Sequence, residues 1–141
     1  MEHLCIEDIK VGMTRDFSTV VTQEKVDLFT KCSGDVNPLH LDDKYAKQHG
    51  FSSHVVYGML TASLYSTLCG VHIPGERCLL YSVDVKFTKP VFVGDVLTVI
   101  GTVTEVNEIH SYIRIKAYVK NQLNEVVSRA KIMAGVLKDE K

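Results

Sequence analysis

An α+β domain, with an antiparallel sheet of about five strands wrapped around a buried central helix, is the architecture this sequence predicts. Three observations lead there. The signals from about residue 22 to 70 are helical, and those from about 78 to 138 have the two-residue period of strands. One helical stretch, GMLTASLYSTLCG at 58–70, is apolar on nearly every face, which describes a helix enclosed by other structure.

The elements can be justified in order. A strand is expected over residues 13–21. Thr22 suits a helix N-cap, and Glu24 complements the positive end of the helix dipole. Val26, Phe29, Thr30 and Ser33 then recur at helical spacing before Gly34, a natural stop. A short helix opens at Asp42 or Asp43, runs through Tyr45 and Ala46, and ends at Gly50. In the apolar helix, Met59, Leu60, Ala62, Leu64, Tyr65 and Leu68 cover every side. Beyond it Leu79, Tyr81, Val83, Val85 and Phe87 alternate with Leu80, Ser82, Asp84, Lys86 and Thr88, a half-buried strand. Pro90 and Gly94-Asp95 punctuate before a strand from 96 to about 106. HSYIRIKAYVK places Ile113, Ile115, Ala117 and Val119 on one face and Arg114, Lys116 and Lys120 on the other. NQLNE turns the chain into the last strand, VVSRAKIMAGVL. A wholly apolar helix on a curved antiparallel sheet points to the hot-dog fold. One sheet cannot hide every face of that helix, so a dimer that continues the sheet is expected.

The 141 residues suffice for one domain spanning 1–141 with a core that needs neither disulfides nor metals. A net charge of -1 provides no global attraction to nucleic acid or to an acidic membrane. No stretch approaches the roughly 18 to 20 apolar residues needed to cross a bilayer. MEHLCIEDIKVG has no apolar core and does not read as a secretory leader. Cys5, Cys32, Cys69 and Cys78 form no CxxC and no zinc-like spacing, so they read as reduced thiols in the cytoplasm or an organelle matrix.

The densest chemistry lies at residues 34–43, GDVNPLHLDD. On a continuous helix Asp35 and His40 would be turned about 140° apart. Pro38 disfavours the helical region for Asn37, so an extended or turned strip is expected instead, and it lets both side chains bend toward one point. A water between a carboxylate and an imidazole supports acid/base chemistry near neutral pH. The residues alone leave other readings open. Asp-x-Asn-Pro is good turn chemistry by itself, and Asp42 or Asp43 caps a helix. Metal binding by His40, His49 and His54 is a third reading, though their spacing matches no zinc signature.

Asp-Val-Asn-Pro-Leu-His-Leu-Asp resembles the D-x-N-P-x-H-x-D signature of the MaoC-like, (R)-specific enoyl-CoA hydratases. Val55-Val56-Tyr57-Gly58-Met59-Leu60 resembles the family's V-H-G-M-L segment, and residues 86–95, KFTKPVFVGD, resemble its F-x-x-P-V-x-x-G-D stretch. The likeness runs in the same order from residue 16 to about 137. It implies a homodimeric hot-dog enzyme that reversibly hydrates trans-2-enoyl thioesters to (R)-3-hydroxyacyl thioesters without a cofactor or metal, and leaves open whether it feeds polymer or fatty-acid synthesis or works in degradation. By position it implies Asp35 and His40 as the catalytic pair and the Gly58 N–H as donor to the thioester oxygen. A helix N-terminus stabilises the enolate charge built there, and a glycine admits the substrate.

Asn37 and Ser66 are implied as supports of the site. For Ser66, a core serine bonded back to a helix carbonyl is an equal reading from the residues. Tyr57 stands where the family's histidine is usual, and it is expected to alter the rim of the acyl pocket. Leu60, Tyr65 and the 71–77 loop are further candidates for limiting acyl length. Lys44, Lys47, Arg77, Lys86 and Lys89 suit the phosphates of CoA or an acidic acyl carrier protein. An acyl-carrier-protein dehydratase, a non-catalytic acyl-CoA-binding protein and a thioester hydrolase stand as alternatives.

Overall fold

The computed structural model describes residues 1–140 of the chain. After a single 3-10 turn at Ile6–Asp8 come β1 (Thr14–Val20), α1 (Gln23–Ser33), α2 (Pro38–Leu41), α3 (Asp43–Gln48) and α4 (Gly58–Thr67). A π-helical turn at Leu68–His72 then leads into β2 (Cys78–Phe87), β3 (Val96–Asn107), β4 (Tyr112–Lys120) and β5 (Val126–Val136). The five strands form one sheet in the order β1-β3-β4-β5-β2, and every neighbouring pair is antiparallel.

The inner face follows from the period of two. Val99, Val103, Ile113, Ile115, Ala117, Val119, Ala130, Ile132 and Ala134 are all buried. Cross-strand partners such as Ile115 and Ile132 meet side by side in this layer. α4 lies across it. The Tyr65 hydroxyl donates to Ser128 Oγ on β5 at 2.9 Å, and Leu68 packs so closely on Gly101 of β3 that a Cβ there would lie 2.6 Å from it. The expected enclosure of the helix is only partial within one chain, because Met59 on α4 is 63% exposed.

Two expectations need correcting. The apolar helix does not run evenly to Gly70, since its last turn widens into the π-helical segment. The alternation expected for β2 fails near its start. The register with β5 shifts between Leu80 and Ser82, so Tyr81 has no directly opposed partner, and Leu79, Leu80 and Tyr81 are all exposed.

On the outer face Lys116 stands directly opposite Lys131, and Lys86 opposite Arg129. None of these four makes an ion pair among the described residues. Among those residues, no helix is long and apolar enough to cross a membrane.

Candidate active site

Local chemistry folds the segment between α1 and α3 almost unaided. Thr22 caps α1 by accepting from the Lys25 N–H at 3.2 Å. Gly34 ends that helix with φ of 71°, a left-handed conformation that glycine adopts without a Cβ penalty. The Asn37 N–H then donates to Asp35 Oδ1 at 3.0 Å, and the Leu39 N–H donates to Asn37 Oδ1 at 3.0 Å. Asn37 is extended, as a residue before proline should be. The residues that follow are not extended. Pro38–Leu41 form a helical turn with proline in its first positions, where its missing N–H costs no hydrogen bond. The expectation of a non-helical strip therefore holds as far as Asn37 and fails at His40, which lies on that turn.

His40 Nδ1 lies 2.6 Å from the Val55 carbonyl oxygen. A carbonyl can only accept, so Nδ1 carries a proton and a neutral ring keeps Nε2 as an acceptor. The imidazole faces a cavity of about 360 Å³ shared with Val56, Gly58, Thr61, Phe87 and Lys89. Gly58 begins α4, which has no side-chain cap, and its N–H has no backbone acceptor among the described residues. An alanine Cβ at Gly58 would lie 3.2 Å from the Phe87 ring, so the glycine lets Phe87 pack closely against the start of α4.

His40 and Gly58 thus come together on one cavity, with Asp35 in the adjoining loop. Asn37 supports that loop as the cap of α2. The other expected residues disperse. Tyr57, expected at the rim, is 2% exposed and packs behind His40, with ring centroids 4.2 Å apart. Tyr65 belongs to the core, where burial pushes its phenol above the ordinary value against the opposing effect of Ser128. Leu60 lines a separate apolar groove of about 170 Å³. Ser66 is exposed on α4, so it is not a core serine.

Of the basic residues, Lys89 lines the cavity but is paired with Glu125, and Arg77 is paired with Asp139 elsewhere. The histidines considered as metal ligands have separate partners. His49 Nδ1 meets the Tyr45 carbonyl, and His54 Nδ1 meets Asp43 at 2.6 Å.

Sequence reasoning passed over Thr61, which forms a wall common to the cavity and the apolar groove. Its hydroxyl is buried without a hydrogen-bond partner among the described residues. In sequence it is one polar residue in an apolar helix. Its place three residues after Gly58, on the same helix face, is the signal that identifies it.

Comparison with known proteins identifies the family and the fold. A family model described as a MaoC like domain matches residues 8–125. The (R)-specific enoyl-CoA hydratase of Aeromonas caviae is 37% identical over 102 residues, covering 72% of this chain and 76% of that protein. The (R)-specific enoyl-CoA hydratase of Rhodospirillum rubrum is 34% identical over 98 residues, covering 70% of this chain and 68% of that one. Among solved structures, an unliganded R-hydratase from Pseudomonas aeruginosa superposes with a TM-score of 0.90 at 27% identity, over 97% of this chain and 88% of that one. The chain belongs to the MaoC-like dehydratase family and has its hot-dog fold.

Proposed function

We propose that this protein is a hydro-lyase that reversibly adds water to trans-2-enoyl-CoA, giving the (R)-3-hydroxyacyl thioester. The observation that carries the reading is the meeting of the His40 imidazole and the unpaired Gly58 N–H on one cavity. Asp35 lies in the loop that leads into the His40 turn, where its carboxylate accepts from the Asn37 N–H.

In this reading the thioester oxygen lies on the Gly58 N–H at the positive end of α4. Asp35 takes a proton from water as the water oxygen bonds to C3. The electrons of the C2–C3 double bond move onto the thioester, and the resulting enolate is stabilised by the helix end. His40, its tautomer set by Val55, helps to hold the water through Nε2 and to steer the proton. That proton passes from Asp35 to C2 as the enolate collapses, which leaves Asp35 a carboxylate again. The reaction is redox-neutral, and its atoms balance without a cofactor. The single domain provides the acid/base groups, and acyl-CoA is the substrate partner.

The working unit in this reading is a homodimer joined through β2. That strand is one edge of the sheet, and it leaves Leu79 48%, Leu80 39% and Tyr81 53% exposed. Pairing the edge with a second copy would satisfy its free backbone groups and bury these side chains.

The test follows the absorbance of the conjugated thioester with crotonyl-CoA and longer homologues. Loss of conjugation with no free thiol is expected. Release of CoA would instead indicate thioester hydrolysis, and no change with any homologue would leave only binding.

A further inference from the structure

Tyr57 is where this chain departs from the motif it otherwise matches, and four parts of the site converge on it. Its hydroxyl donates to the Asp35 carbonyl oxygen at 2.5 Å and lies 2.8 Å from Thr30 Oγ1 on α1. Its ring packs against His40 and, at 4.9 Å between centroids, against Phe29. Its own carbonyl accepts from the Leu60 and Thr61 N–H groups, and its backbone leads directly into Gly58.

We propose that Tyr57 is the positioning residue that locks Asp35, His40 and the Gly58 amide into one rigid unit, an inference that rests on the hydratase reading. The carboxylate most needs such a lock. Asp35 is exposed and sits just past the end of α1, where no helical ladder holds it. Its other hydrogen-bond partners among the described residues are Ser33 and Asn37, each two residues away, so they travel with the loop. Tyr57 is 22 residues away and belongs to the base of α4. It therefore ties the loop to the element that supplies the oxyanion donor.

The proton inventory gives the contact a direction. Tyr57 has one hydroxyl proton, and the Asp35 carbonyl can only accept. The Tyr57 oxygen is then free to accept from Thr30, whose one hydroxyl proton is shared between it and the Val26 carbonyl at 2.9 Å. When that proton turns to Tyr57, the chain runs from Thr30 through Tyr57 to Asp35. Successive donors in such a chain polarise and strengthen one another. On the other side of the phenol, the ring fixes one face of His40 while Val55 fixes its edge. The side chain is too buried to touch substrate, so its influence passes through the groups it holds.

Tyr57→Phe keeps the ring packing and removes only the hydroxyl. For crotonyl-CoA hydration it should lower kcat by roughly 10- to 100-fold, the scale of a misplaced reacting group, with KM nearly unchanged. Thr30→Val should lower kcat in the same sense, and combining the two should do little more than Tyr57→Phe alone. In an Asp35→Asn background, Tyr57→Phe should have almost no further effect on kcat. Amide exchange at residues 35–37, measured by NMR without substrate, should quicken in Tyr57→Phe while exchange in β3 and β4 stays slow.

The exchange measurement stands whether or not the protein is a hydratase, so failure of that reading is seen separately, as absent turnover in the unmodified chain. Unchanged kcat together with unchanged exchange in Tyr57→Phe would overturn the proposal. So would a change in KM alone, which would make Tyr57 a substrate-contact residue.

Discussion

In the proposed reaction Asp35 and His40 contribute one functional group each, so small substitutions are informative. Asp35→Asn keeps the shape of the side chain and its capping bond from Asn37, while the amide cannot take a proton from water. His40→Ala removes the imidazole from a half-exposed position on a four-residue turn. Each variant should keep its circular dichroism and lose roughly 10²- to 10⁴-fold or more of crotonyl-CoA turnover, the range that general acid/base groups supply. Near-normal turnover in either would remove that residue from the reaction. The sequence singles out these two residues because the others around them have visible structural duties, and the structure gives Asp35 one as well, accepting the Asn37 N–H. The inward packing of Tyr57 was not legible, because it depends on a contact with a residue 22 positions away. A substituted motif position signals a difference without showing which way the side chain points.

Elements near the site are joined by a second, smaller clasp. The His54 N–H and ring both meet Asp43 Oδ1, at 2.8 and 2.6 Å, and the far side of the ring reaches Gln23 on α1 at 2.9 Å. This ties α1, α3 and the approach to α4 together. Hydrogen bonds from the His54 backbone and ring hold the Asp43 carboxyl below its ordinary value of 3.8. A folded value below the unfolded one contributes stability at pH above the unfolded value, and that contribution is lost as pH falls through the folded value. Asp43→Asn should therefore be less stable than the unmodified chain at pH 6, and urea midpoints for the two should converge as the pH drops well below 3.8. A constant gap across that range would show that the clasp does not depend on ionisation.

Strand and helix periods made most elements readable, notably β4, where every second residue from Ile113 to Val119 is buried. The turn at Pro38–Leu41 was not readable, because proline blocks a helix before it yet starts one well. The irregular opening of β2 escaped for another reason. A bulge is set by pairing with β5, which lies about 50 residues further along the chain.

For the whole molecule, β2 and α4 leave related work undone, since apolar side chains of both remain exposed in a single chain. Sedimentation of the purified protein should give twice the mass of one chain. Leu80→Asp, which places charge on the exposed edge strand, should shift it toward one chain mass. A monomer at micromolar concentration would exclude the proposed pairing.

The outer face of the sheet sets a boundary on that assembly. Cations standing directly opposite one another, offset in part by Asp84 opposite Lys131, would repel the same face of a second copy. A molecule built this way is sticky along its rim and slippery on its back. In the proposed dimer it grows sideways through β2 while stacking back to back is discouraged, so crowding should produce discrete pairs rather than layered aggregates.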